Sequence, residues 1–347
     1  MDVDVRAAGL GFLAAAVVLG LLVGVVGTGE VVAAFAALDA RYLALVAAVG
    51  LGWLAAWGMA LRTVLGALGV STTRFRAVLL YASAAFANNV TPFGQAGGEP
   101  FSALLISRST GSAYEDGLAA IASVDTLNFA PSIALALVGV VYYVTQFAAG
   151  GRDVLYVTGV VVALAIVVPS LVYVAWRYRM TIREFAVRTV GPVLHTVGRV
   201  LPRVSPPTPQ TLRERVTGFF SSVERVADDR GRLALALAYS TVGWLCMISA
   251  LGFTLVAVGG GGAHLFAAAL VVVPLGGLAS LTPLPGGLGG AEFAIVVLLV
   301  PITGLSAETA TAAALVFRGA TYWLSTVLGG GAAAWLEGAG RRQMAEL

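Results

Sequence analysis

Four ionisable side chains stand in long apolar surroundings: Glu99, Asp125, Glu292 and Arg318. A carboxylate so placed can hold a proton or a cation, and a guanidinium fork matches the oxygens of a phosphate. Glu99 and Glu292 share a context, since each closes a break rich in Pro and Gly. The first runs from Asn88 and Asn89 through Pro92 and Gly98 to Glu99, and the second from Pro283 and Pro285 through Gly286, Gly287 and Gly289 to Glu292. A helix restarting after such a break offers unpaired N–H groups that favour an anion, either its own carboxylate or a bound phosphate. Both glutamates therefore read as helix-start residues or as the lining of a polar cavity that handles a cation, a proton or a lipid head. Arg318 reads as half of a buried ion pair or as a phosphate ligand. Asp125, with Asn128 three residues on, belongs to the same network or to a hydrogen bond between packed helices. Asn88 and Asn89 suit the end of a half-helix, and Tyr322 and Trp323 suit packing or a membrane interface.

Other chemistries find no support. His195 and His264 are far apart, Cys246 stands alone in an apolar run, and no lysine occurs. No metal-ligand spacing, nucleophilic triad or nucleotide-binding loop is present. The sequence implies no cofactor, no nucleic-acid partner and no enzyme activity.

The elements that must position these residues are membrane helices. Of the 347 residues 59% are hydrophobic and 11% charged, where soluble domains carry roughly 25% charged. Mean hydropathy is +0.90. Several apolar runs exceed the ~18 residues that mark a membrane-spanning helix. The stretch from Ala7 to Gly29 is too long for a signal-peptide core and reads as a retained first anchor.

The expected fold is an all-α polytopic membrane protein with about six full spans and two Pro/Gly-broken re-entrant helical hairpins. Residues 1–176 form an N-terminal membrane half, with a hairpin near 77–107. Residues 177–232 form a basic cytoplasmic linker of two surface helices about a Pro-rich turn, and 233–347 a C-terminal half with a hairpin near 265–300. Full spans are expected near Ala8–Gly27, Tyr42–Leu61, Gly117–Phe147, Val154–Trp176, Leu233–Val258 and Glu308–Leu336. All arginines but Arg41, Arg152 and Arg318 then share one side. Positive charge stays cytoplasmic, so both termini are expected in the cytoplasm, in a multi-pass protein of the cell membrane. The hairpins would insert from opposite sides, and paired broken segments of this kind point to a transporter-like site between two halves of opposed orientation.

The two breaks resemble those of the flippase-like membrane domain family, also described as the transmembrane region of lysylphosphatidylglycerol synthase. Its first signature is similar to Asn88/Asn89, Pro92, Gly98 and Glu99. Its second is similar to Pro283, Pro285, Gly286, Gly287, Gly289 and Glu292, and a later arginine before an aromatic matches Arg318 and Trp323. After the first signature this chain has Asp125 where the family tends to carry a Glu-Arg pair followed by Asp. The resemblance implies a flippase for a polar-headed lipid, either a phospholipid or a polyprenyl-phosphate-linked one. Its partners would be membrane lipids with phosphate-bearing heads, and a homo-oligomer is compatible with it. One alternative is a non-transporting partner of a separate synthase or glycosyltransferase, docked through the linker. The other is an intramembrane lipid-head transferase.

Overall fold

The computed structural model describes residues 39–91, 95–147, 209–258, 263–279 and 284–345, with residue 29 and isolated positions between 159 and 181. The expected first span, most of the expected span near 154–176, the first part of the linker, Pro92 and Pro283 lie outside the described residues. Every described element is helical, and no strand occurs among the described residues. In chain order they are α1 (Ala40–Ala67), α2 (Arg74–Val90), α3 (Gln95–Thr110), α4 (Tyr114–Phe147), α5 (Pro209–Asp228), α6 (Arg230–Ala257), α7 (Ala263–Leu278), α8 (Gly290–Thr303), α9 (Ala307–Arg318) and α10 (Leu324–Ala345).

Four segments are long and apolar enough to cross a membrane: Ala40–Ala67, Tyr114–Tyr142, Arg230–Ala257 and Pro285–Thr303. Their outer faces carry exposed Leu51, Val138, Val242, Leu245, Phe293 and Val297. Apolar surface of that extent suits hydrocarbon and not water. Polar caps start the helices. Asp39 accepts from the Arg41 N–H at 2.8 Å, Thr73 from that of Arg76 at 3.2 Å, and Asp229 from that of Arg232 at 3.0 Å. Each satisfies a donor that the first helical turn leaves unpaired.

α1 and α6 form the most extensive helix pair. Gly66 meets Arg232, the Trp57 Nε1–H donates to the Ser240 carbonyl at 3.1 Å, and Gly52 meets Cys246, so the two run antiparallel. α2 and α10 are likewise antiparallel, with Asn89 bonded to Ser325 and Thr326 at one end and Phe75 edge-on to Trp335 at the other. Between them Gly329 sits on α2, where a Cβ would fall onto the Ala82 carbonyl oxygen.

α2 and α3 make an antiparallel helical hairpin. Asn88 lies over Gly98 at its tip, and Arg76 Nη1 donates to the Ser109 carbonyl at its base at 3.1 Å. The arms have 17 and 16 residues. At 1.5 Å per residue each is roughly 25 Å long, shorter than the ~30 Å hydrocarbon core. α7 and α8 pack against each other across the second break, with Gly276 against Ile295. From Ala307 to Ala345 the chain is continuously helical, widened to a π turn over Gly319–Trp323.

The described linker helix, α5, is clasped to the bundle. Arg225 bonds Asp116 at 2.6 Å and the Leu68 carbonyl at 3.4 Å, and Arg215 pairs with Glu115 at 3.6 Å. Glu115 and Asp116 occupy the first turn of α4, and Leu68 caps the C-terminus of α1. Acids at a helix start and a base at a helix end both complement the macrodipole.

The close α2–α10 contact generates a stability test. Gly329→Val should destabilise by about 1–3 kcal/mol through overpacking. Gly331→Val, where nothing lies within 4 Å of the added Cβ, should leave thermal unfolding in detergent unchanged. Equal melting temperatures for the two variants would refute the packing assigned here.

Candidate functional site

The second break is built by glycines that no other residue replaces easily. Gly286, Gly287 and Gly289 have φ of 53°, 65° and 82°, the left-handed region that side chains with a Cβ avoid. A Cβ on Gly286 would also strike the Tyr322 ring. The turn they make presents the N-terminus of α8, where Glu292 folds back so that the Gly289 N–H donates to its Oε2 at 2.6 Å. Its other oxygen accepts from Arg318 Nε at 2.8 Å. Arg318 Nη2 donates to the Gly286 carbonyl at 2.9 Å. Glu292 is 1% exposed and Arg318 9%. One guanidinium thus holds both the carboxylate and the turn that positions it.

Arg318 is fixed from its other side as well. Its guanidinium carbon stands 4.5 Å from the centroid of the Tyr322 ring, a cation–π contact. The Tyr322 hydroxyl donates to the Asn89 carbonyl at 3.0 Å. Asn89 Nδ2 in turn faces the Tyr322 carbonyl, Ser325 Oγ and Thr326 Oγ1 at 3.3, 3.1 and 2.8 Å. The π turn begins immediately after Arg318, and such turns recur at functional sites. The end of the first hairpin arm, the second break and the last helical run therefore meet in one bonded network.

Beside this network lies a cavity of about 210 Å³. Arg318, Gly286, Asn88 and Asn89 line one part of it, and Asp125, Asn128 and Ser132 of α4 another. Trp53 and Trp57 of α1, Tyr81 of α2 and Trp244 of α6 supply an aromatic wall. Its rings meet edge to face at Trp57, with centroids 5.5–5.8 Å apart. Trp244 Nε1 donates to the Asn128 carbonyl at 2.9 Å, and Ser240 Oγ donates to Asn128 Oδ1 at 2.6 Å, which ties α4 to α6.

Several polar atoms in this cavity have no hydrogen-bond partner within the protein. Trp53 Nε1, Asn88 Oδ1, Asp125 Oδ2 and Asn128 Nδ2 are all buried and all unpaired. Two are donors and two acceptors. Buried polar groups are normally bonded, and all four of these unpaired atoms belong to residues that line the one cavity.

The expected site residues fall into groups. Arg318, Glu292, Gly286, Gly289 and Asn89 are joined directly, and Asp125 and Asn88 face the cavity beside them. Of the three acids available to Arg318, the structure selects Glu292. Pro285 and Gly287 are buried supports of the turn. Gly98 packs under Asn88, whereas Glu99 is partly exposed and does not line the cavity. Tyr322 is fully buried and Trp323 half exposed. The aromatic wall was not among the expectations, and the hydrogen bond between packed helices expected at Asp125 falls instead on its neighbour Asn128, which bonds Ser240. Their signal in the sequence is faint: Trp53 and Trp57 at i,i+4 mark one helix face, but nothing in the chain foretells that α6 brings Trp244 to it.

Two comparisons bear on this arrangement. The profile of the family described as "Lysylphosphatidylglycerol synthase TM region" matches residues 8–329. A "UPF0104 membrane protein" from Methanothermobacter thermautotrophicus is 30% identical over 136 residues, 39% of this chain. The match spans 38% of that relative's length.

The buried pair generates a second test. Glu292→Gln or Arg318→Gln alone leaves a charge without its counter-ion and should cost about 3–5 kcal/mol. The double variant should recover a large part of that loss. Thermal unfolding of all four proteins closes the cycle, and strictly additive losses would contradict a coupled pair.

Proposed function

This chain belongs to the lysylphosphatidylglycerol synthase TM region family, and on that premise we propose that it moves a polar-headed lipid between leaflets. The observation that carries the reading is the set of four unpaired buried polar atoms converging with Arg318 on one cavity inside an apolar helical bundle. A lipid head passing through such a cavity exchanges its water for these groups while its tails stay in hydrocarbon. Arg318, held by Glu292, the Gly286 carbonyl and Tyr322, offers the positive charge for a phosphate without having to reorganise. Either a phospholipid or a polyprenyl-phosphate-linked head brings that phosphate.

The topology that suits this role has about six full spans and two hairpins inserted from opposite sides of the cell membrane. Both termini and the linker then lie in the cytoplasm. The 17- and 16-residue arms of the first hairpin suit re-entry, and the non-helical turn before α8 suits a broken membrane segment whose backbone is covered by protein. In this reading the protein transports and does not catalyse. A docking role for the linker is less favoured, because Arg215 and Arg225 of α5 are already engaged with Glu115 and Asp116 of this same chain.

Leaflet exchange in proteoliposomes tests the proposal, using fluorescent phospholipids and a polyprenyl-phosphate glycolipid. Wild type should accelerate the exchange of one of these lipid classes. Arg318→Lys keeps the charge but loses the planar fork, and should slow exchange by at least about tenfold while the protein stays folded. Exchange no faster than in empty liposomes, from protein that melts cooperatively, would sink the translocator reading in favour of a partner of a separate lipid enzyme.

A further inference from the structure

We infer that seating a phosphate-bearing head in this cavity is coupled to the arrival of one positive charge at Asp125, a proton when the head itself brings none. The inference rests on the translocator reading and adds its coupling chemistry.

Arg318 is the one cation among the described residues that line the cavity, and Glu292 already neutralises it at 2.8 Å. Asp125, 5% exposed in the first half of α4, also lines the cavity, and its Oδ2 has no partner in the protein. From the helices packed around it come Trp53 and Trp57 of α1, Tyr81 and Asn88 of α2, Trp244 of α6 and Arg318. Glu99 of α3, outside the lining, is near enough for its charge to act on Asp125. Tyr81, Glu99 and the Arg318-bound Glu292 are the other groups able to exchange a proton here, and none of them supplies a positive charge.

Into this setting a phosphodiester brings a further negative charge. Arg318 cannot answer it alone, because its charge is already matched, and a guanidinium neither gains nor loses a proton in a protein. Like charges in a poorly solvated site repel far more strongly than in water. The favourable response is a cation at the carboxylate that has no counter-ion, and Asp125 is that group. Asn88, another lining residue, also has an unpaired acceptor in its Oδ1, which packs over Gly98. Trp53 Nε1 and Asn128 Nδ2, unpaired donors of residues that line the same cavity, suit the oxygens of the head. A proton on Asp125 supplies the missing charge when the head is purely anionic. An ammonium group on the head would take its place.

The test mixes purified full-length protein with dioctanoyl phosphatidylglycerol in weakly buffered detergent solution. Binding is followed by native mass spectrometry and protons by an indicator dye. Wild type should take up about one proton per lipid bound, the linkage signature of a group whose proton affinity rises on binding. Asp125→Asn, which imitates the protonated side chain and breaks no bond within the protein, should bind the lipid at least as tightly with no uptake. Asp125→Ser should also abolish uptake, and serves if the first variant does not fold. Dioctanoyl phosphatidylethanolamine should bind wild type with little proton uptake. Binding of phosphatidylglycerol without uptake would overturn the inference and leave the translocator reading standing. Uptake that persists without Asp125 would overturn it in favour of Glu292 or Glu99, and uptake with phosphatidylethanolamine equal to that with phosphatidylglycerol would overturn the exchange of ammonium for proton. Failure of every lipid to bind wild type would count against the translocator reading itself.

Discussion

The buried contact between Arg318 and Glu292 is the constraint on which the rest of this structure depends. A guanidinium deep in an apolar bundle is tolerated only with a carboxylate and further acceptors around it. The chain meets that demand with Glu292 and the Gly286 carbonyl at 2.8 and 2.9 Å. Glu292 can be there only because three glycines with positive φ turn the backbone into the start of α8. Arg318 can be there only because Tyr322 and Asn89 brace the π turn behind it. A single ion pair thereby fixes the second break, the last helical run and the end of the first hairpin arm relative to one another.

The cavity divides its polar groups by how they are held. Arg318 is committed on several sides and behaves as a fixed feature of the wall. Asn128 is committed through its carbonyl groups to Trp244 and Ser240 and leaves its side-chain amide nitrogen unpaired. Asp125 is committed to nothing within the protein on its outer oxygen. A site that must bind a head and then release it needs both kinds of group. In the proposed role the rigid ones would set where a phosphate sits, and the unpartnered ones would be answered by the guest.

Much of this was legible in the sequence, and the reasons are physical. The two breaks stand out because Pro and Gly interrupt apolar runs at the points where α2 ends and α8 begins. Arg318 and Glu292 stand out because charge is rare in such runs, but the sequence left Arg318 a choice among Glu292, Glu99 and Asp125. Only the turn at Gly286–Gly289, which depends on backbone angles, decides it. Glu99 illustrates the reverse. Its setting mirrors that of Glu292, yet the fold leaves it partly exposed and outside the cavity. The aromatic wall depends on the antiparallel register of α1 and α6, which no local pattern encodes.

The account turns on whether a lipid head occupies the cavity between Arg318 and Asp125. The most direct measurement is photo-crosslinking with a phospholipid whose head carries a diazirine, followed by mass-spectrometric mapping of the adducts. Adducts concentrated on cavity residues such as Asn88, Trp53 and Phe129, and reduced by excess unlabelled lipid, are the expected result. Adducts confined to outward-facing positions such as Phe293 and Val297, with none in the cavity, would contradict it.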